Sequence, residues 1–188
     1  MKIGIQGGKG SNNEQAMQEL AQKKKLKNHE IVYLYETEKE IESLLDKTID
    51  RGFFAKNTGS RKVAETFFSL EKHLQDKIKE TDEYTYLVKH SVYARTKLQP
   101  LDYLKVHSHI QGLGVHAEFI WNKYKNISLC PELDTSVAAE KLSQKKYPVT
   151  SLVIAPQICR EIYPNLIILE DWLEPHNYET TFSLVKLK

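Results

Sequence analysis

Strands and helices alternate along this chain, each strand running into a polar turn and the turn into a helix, and few architectures satisfy that order. Lys2 to Gln6 (KIGIQ) reads as a short strand ending in Gly7-Gly8-Lys9-Gly10-Ser11. Asn12 to Leu26 then reads as a helix, with Ala16, Leu20 and Ala21 on one face and lysines at its C-terminal end. Ile31 to Tyr35 is a second strand, and a helix follows from Thr37 to about Thr48, where Thr37 and Glu40 have the spacing of a capping box. Residues 52–56 (GFFAK) form a short buried strand that ends in Asn57-Thr58-Gly59-Ser60. The helix expected next carries Val63, Phe67, Leu70, Leu74 and Ile78 at three- and four-residue spacing.

The pattern changes at Glu83 to Lys97, which alternates as a strand or hairpin. Beyond it come a strand at Leu104 to His107, a helix through Tyr124, a strand at Ile127 to Leu129 and a helix from the Asp134-Thr135-Ser136 cap to about Lys145. Val149 to Ile154 is an apolar strand, Pro156 opens a short helix, and strands follow at Leu166 to Leu169 and Thr180 to Leu187. The expected architecture is α/β with mainly parallel sheets, in one domain over 1–188 made of two lobes. Lobe 1 takes about 1–80 plus 170–188, and lobe 2 about 81–169.

A chain of 188 residues is long enough to bury a sizeable core. Lysine and arginine number 27 against 25 aspartate and glutamate, a net charge of +2 that argues against a broadly basic nucleic-acid surface. No stretch reaches the length of a membrane span, and the opening strand and glycine loop do not read as an apolar leader, so a cytoplasmic protein with neither a nucleic-acid nor a membrane partner is expected. Cys130 and Cys159 are expected as reduced thiols. His107 and His109 lack a third clustered ligand, so no metal is expected.

Four polar turns follow strands: Gly7 to Asn13, Lys56 to Ser60, Ser108 to Gln111, and Asp134 to Ser136. In an open α/β sheet ligands bind beyond the carboxyl ends of strands, and free N–H groups at helix N-termini favour anions. The glycine loop matches neither the dinucleotide fingerprint nor the P-loop, whose glycines fall at other spacings. The convergence of the four turns points to a small anionic ligand.

The order of these motifs resembles the catalytic domain of prephenate dehydratase. That family begins with a strand and a Gly-Pro-x-Gly-Thr-x-Ser loop; here the stretch reads Ile5-Gln6-Gly7-Gly8-Lys9-Gly10-Ser11-Asn12-Asn13. Its Val-Val-Pro-x-Glu-Asn-Ser turn and following Gly-Ser-Val-x-Glu-Thr are matched loosely by Phe53-Phe54-Ala55-Lys56-Asn57-Thr58 and Val63-Ala64-Glu65-Thr66. Its Ser-His-Pro-Gln motif resembles Ser108-His109-Ile110-Gln111, and its Asp-Thr-Ala-x-Ala-Ala motif resembles Asp134-Thr135-Ser136-Val137-Ala138-Ala139. Its Asn-x-Thr-Arg-Phe motif resembles Asn177-Tyr178-Glu179-Thr180-Thr181-Phe182, with an insertion and with Thr181 in place of the arginine.

The resemblance implies two α/β lobes with a central cleft, similar to type 2 periplasmic binding proteins, and a catalytic domain standing without the phenylalanine-sensing ACT domain that often follows it. It implies a cofactor-free carbon–oxygen lyase that converts prephenate to phenylpyruvate, carbon dioxide and water in L-phenylalanine biosynthesis, with homo-oligomers expected by analogy. Thr180 would be the acid. Gly10, Ser11, Lys9, Lys56, Asn57, Thr58, Ser108, His109, Gln111, Thr135, Ser136, Thr181 and Phe182 would bind substrate, Lys9 or Lys56 restoring the missing positive charge. A non-aromatising prephenate decarboxylase, or a module that only binds prephenate or a related anion, is the alternative.

Overall fold

The computed structural model describes residues 1–58, 61–62, 72–97 and 104–188. The elements in chain order are β1 (Lys2–Ile5), α1 (Asn12–Lys24), β2 (Glu30–Tyr33), α2 (Thr37–Leu45), β3 (Arg51–Thr58), β4 (Arg61–Lys62), α3 (Lys72–Gln75), β5 (Ile78–Leu87), β6 (His90–Ala94), β7 (Leu104–His109), α4 (Ile110–Lys123), β8 (Ile127–Glu132), α5 (Thr135–Ser143), β9 (Ser151–Pro156), α6 (Cys159–Ile162), β10 (Ile167–Glu170) and β11 (Glu179–Leu187). They form two compact units. Unit 1 holds Met1–Gly8, Asn12–Val88 and Tyr178–Lys188; unit 2 holds Lys9–Ser11 and Lys89–Asn177. The chain therefore crosses after Val88 and returns after Asn177. Val63, Phe67 and Leu70 of the expected long helix lie outside the described residues, whereas Leu74 falls in α3 and Ile78 opens a strand. The alternating stretch around residue 90 is not a hairpin, because β5 and β6 join different sheets.

In unit 1 the sheet order is β2-β1-β3-β11-β5, with β4 on β3. β1 runs parallel to β2 and β3, while β11 runs antiparallel to both β3 and β5. Nine residues of β11 pair along β5, which ties the stretch up to Leu87 to this unit. The central strands are buried on both faces, so neighbouring apolar residues serve opposite layers. Phe53, Phe182 and Leu184 pack with Ala16, Met17 and Leu20 of α1. Phe54 and Val185 pack with Ile41 and Leu44 of α2.

The capping box expected at Thr37 does not form. The N-cap is Glu36, without a side-chain capping bond, and Glu40 turns into the core. One carboxylate oxygen of Glu40 accepts from the Phe53 backbone N–H at 3.0 Å. Burial pushes this carboxyl well above the usual carboxylate range, with the Phe53 N–H opposing in part. The folded state thus holds a proton that the unfolded chain has released. The contribution to stability is complete below about pH 4.5 and is lost as pH rises toward the folded value, by about 1.4 kcal/mol per pH unit while the difference is one proton. Glu40→Gln, titrated by thermal or urea unfolding between pH 4 and 8, is expected to show a correspondingly flatter profile. Parallel profiles would show that the slope arises elsewhere.

In unit 2 the order is β10-β6-β9-β7-β8. β7 runs parallel to β8 and β9, and β6 antiparallel to β9 and β10. Val106, Leu152 and Ile154 pack with Leu113 and Ile120 of α4, while Tyr93, Val153 and Ala155 pack with Ala138, Ala139 and Leu142 of α5. Both sheets are thus mixed, with parallel cores and antiparallel additions made where the chain crosses. Among the described residues no helix is long and apolar enough to cross a membrane.

Candidate functional site

In unit 2 the sheet register brings two helix N-termini to one edge. β7 and β8 are parallel with Ser108 opposite Pro131 and His109 opposite Glu132, so α4 and α5 start side by side. Gly112 lets the first turn of α4 close on the end of β7: a Cβ there would stand 2.9 Å from Ser108 Oγ, with Thr135 Cγ2 of α5 in ordinary contact at 3.5 Å. His109 caps α4 by accepting from Gln111 N–H at 3.4 Å, a weak bond. Asp134 caps α5 as the sequence suggests, accepting from the backbone N–H and the hydroxyl of Ser136. Ser108 is wholly buried and donates to the Ile154 carbonyl at 2.7 Å. Thr135 differs. Its hydroxyl is buried with no hydrogen-bond partner among the described residues, at the first turn of α5. Such a group, flanked by helix N-termini, suits an anionic oxygen.

Behind Gly112 lies a pair the sequence offered no means of finding. His116 Nδ1–H donates to the Glu174 carbonyl at 2.7 Å, so its Nε2 accepts from His90 Nδ1–H at 3.0 Å. Burial holds both imidazoles below the usual histidine range and keeps them neutral, which fixes this direction of donation. His107, by contrast, stacks on Tyr147 with ring centroids 3.8 Å apart and lies 3.6 Å from Glu132. Among the described residues no three His, Cys, Asp or Glu side chains gather as a metal site. Of the glycine-loop residues in this unit, Lys9 is exposed and Ser11 buried, while Gly10 takes a φ of +82° against Ile162 and Cys159.

In unit 1, Thr180 sits opposite Thr58 on β3 and opposite Tyr86 on β5. Its hydroxyl lies 3.3 Å from that of Thr58, and it is buried. Strand alternation puts Thr181 on the other face, where its hydroxyl meets Thr85 at 3.1 Å. Phe182 returns to the first face and is packed away, 1% exposed and stacked on Phe53 at 5.2 Å. Its burial makes it a core residue, not the substrate contact expected from the sequence. Lys56 also departs from expectation. The register between β11 and β3 slips at this point, Thr181 facing Asn57 and Phe182 facing Ala55, which leaves Lys56 as the extra residue of a bulge. Its ammonium contacts Glu80 at 3.1 Å and Glu83 at 2.6 Å, and the Glu83 bond raises its pKa. Two carboxylates already neutralise it, so Lys56 is not an open cation for an anionic ligand. Asn57 is half-buried beside it; Ser60 and the stretch 63–66 lie outside the described residues. Tyr178, partly buried, packs against the cluster that contains Phe53 and Phe182.

The two α/β units have the periplasmic-binding-protein-like fold class expected from the sequence. A putative methionine-binding lipoprotein from Bacillus subtilis shares that fold at 12% identity and TM-score 0.52, over 99% of this chain and 83% of that one. The family model for prephenate dehydratase matches residues 3–188, and the chain belongs to that family. A prephenate dehydratase from Arthrobacter aurescens, solved in complex with L-Phe, superposes with TM-score 0.80 at 15% identity, covering all of this chain and 61% of that one. GqqA, described as a novel type of quorum quenching acylase, superposes with TM-score 0.72 at 17% identity, covering all of this chain and 64% of that one. The chain thus spans less than two-thirds of the length of either, and at these identities the likeness is one of fold. A comparison with curated proteins finds no match.

Proposed function

We propose that this chain is a prephenate dehydratase, a carbon–oxygen lyase that forms phenylpyruvate, carbon dioxide and water in L-phenylalanine biosynthesis. The observation that carries the reading is Thr180: the hydroxyl at the family's acid position is retained, buried, and held 3.3 Å from a second hydroxyl. In the reaction Thr180 protonates the departing C4 hydroxyl. The electron pair of the bond to the ring carboxylate enters the ring, carbon dioxide leaves, and aromatisation drives both losses. The chemistry needs a proton donor and carboxylate ligands, and neither metal nor organic cofactor.

One observation favours decarboxylation without dehydration. Thr181 stands where the family has arginine, its hydroxyl engaged by Thr85, and Lys56 is held by Glu80 and Glu83. A weaker hold on a carboxylate would alter which bond breaks first. Incubation of the protein with prephenate at neutral pH, with products resolved by absorbance and mass, separates the readings. Phenylpyruvate is the expected product; a dihydro-hydroxyphenylpyruvate would replace dehydration with decarboxylation, and binding without turnover would reduce the protein to a prephenate-binding module.

A further inference from the structure

Residues 171–177 form a strap that carries the chain from β10 toward β11, and unit 2 fastens it at two places of different chemistry. At its start, Asp171 accepts from the Ser91 hydroxyl and from the Gln157 side-chain amide, both at 2.7 Å, with Arg160 3.3 Å away. The Ser91 bond holds this carboxyl below the usual carboxylate range, so the fastening keeps its charge in mild acid. Two residues on, Leu173 N–H donates to the His90 carbonyl at 2.7 Å, and the Glu174 carbonyl accepts from His116 Nδ1–H at 2.7 Å. This second fastening is made by two histidines, one through its backbone and one through its ring.

The rings fit this place as a neutral pair. His116 commits Nδ1–H to Glu174, so its Nε2 offers a lone pair to His90 Nδ1–H, 3.0 Å away, and the rings meet edge to face with centroids 5.2 Å apart. His90 is 2% exposed and His116 1%. A first proton therefore leaves an imidazolium out of reach of water and makes His90 move its own proton to Nε2; a second sets two N–H groups head to head. Hydration relieves both, and the Glu174 carbonyl occupies the place at Nδ1 that water would take. We infer that the strap is closed by an acid-sensitive latch: the neutral His90–His116 pair keeps Leu173 and Glu174 on unit 2, and proton uptake by the pair releases them while Asp171 stays fastened. Above the ordinary histidine value of about 6.5 the closed and open forms bind the same protons, and the strap is shut. Below it the open form takes up protons that burial keeps from the closed one, so the open fraction rises about tenfold per pH unit for one proton and about a hundredfold for two. The other titratable and charged groups around the pair are His109 at the cap of α4, Glu118 and Lys123 of α4, Lys89 beside His90, and Asp171, Glu174 and His176 of the strap, with Arg160 of α6 on Asp171; β9 places only Pro156 opposite His90.

The test uses the full chain between about pH 7.5 and 5. The Leu173 amide reports the latch directly: its protection against hydrogen exchange, corrected for the intrinsic rate, is expected to fall at least about tenfold per pH unit below about pH 6.5, while amides of β9 keep theirs. Trp172 rides on the strap, its ring centroid 4.7 Å from that of His176 and 5.1 Å from the Lys89 ammonium. With Trp121→Phe to leave it the sole tryptophan and His176→Gln to remove its imidazole neighbour, its emission is expected to change over the same range at constant far-ultraviolet circular dichroism. His90→Asn keeps a donor in the place of Nδ1 and should halve the pH slope of Leu173 protection on a logarithmic scale; His116→Gln added to it should abolish the slope and the Trp172 response. Leu173 protection that is flat over this range, or lost only together with that of β9, overturns the latch, as does a Trp172 response that survives the loss of both histidines. The exchange measurement needs no substitution and decides the matter even where a variant fails to fold.

Discussion

Thr180→Val is expected to lower kcat toward prephenate by roughly 10²–10⁴-fold, the range for loss of a general acid, or about 2.7–5.4 kcal/mol in the barrier. Valine matches threonine in shape, so the change removes the hydroxyl from a site only 6% exposed without opening a cavity beside Phe182. Folding should survive, since one neutral hydrogen bond with Thr58 contributes only about 1 kcal/mol. KM should move little, because the contact is made to the departing oxygen as charge develops. Thr180→Ser, which keeps an acid at the same place, should retain most of the rate. A Thr180→Val enzyme with the wild-type rate would remove Thr180 as the proton donor, wherever else the substrate is held.

Phe182→Ala is expected to act on stability, by about 3–5 kcal/mol, the cost of removing a fully buried aromatic side chain and leaving a cavity. The ring stacks on Phe53 and lies against Met17 and Leu20, so its loss loosens α1 from the sheet that carries Thr180. At about 2–4 °C per kcal/mol for a chain of this size, the unfolding temperature of unit 1 should fall by roughly 6–20 °C. Both tryptophans, Trp121 and Trp172, lie in unit 2, so their fluorescence reports that unit while far-ultraviolet circular dichroism reports both. The expected signature is an early circular-dichroism transition without a matching early fluorescence change. Identical transitions by the two probes would mean that the units unfold as one.

What could be read in advance follows from range. Hydrophobic periodicity is local, and it located α1, β1, the start of α2 and most strands of unit 2. The Asp134 cap was equally legible, because its acceptors lie two residues away. Glu40 departs from expectation because its spacing from Thr37 satisfies a local rule, while the Phe53 N–H that holds its carboxyl in the core lies on another element, β3. Lys56 was misread for a related reason. A bulge exists only relative to a partner strand, here more than a hundred residues away, and the two glutamates that hold Lys56 lie 24 and 27 residues along the chain. Thr181 and Phe182 follow Thr180 in the motif, but alternation turns Thr181 to the other face and Phe182, back on the first face, is buried against Phe53.

The arrangement of unit 1 also has a consequence for synthesis. Apart from Lys9–Ser11, unit 2 is one unbroken stretch, whereas unit 1 needs β11 from the last residues of the chain. β11 lies between β3 and β5, and until it is made those strands have no common neighbour. On the ribosome, therefore, the part begun first is finished last. A nascent chain halted before residue 179 carries a complete unit 2 sheet and two waiting strand edges, the kind of surface on which chains aggregate.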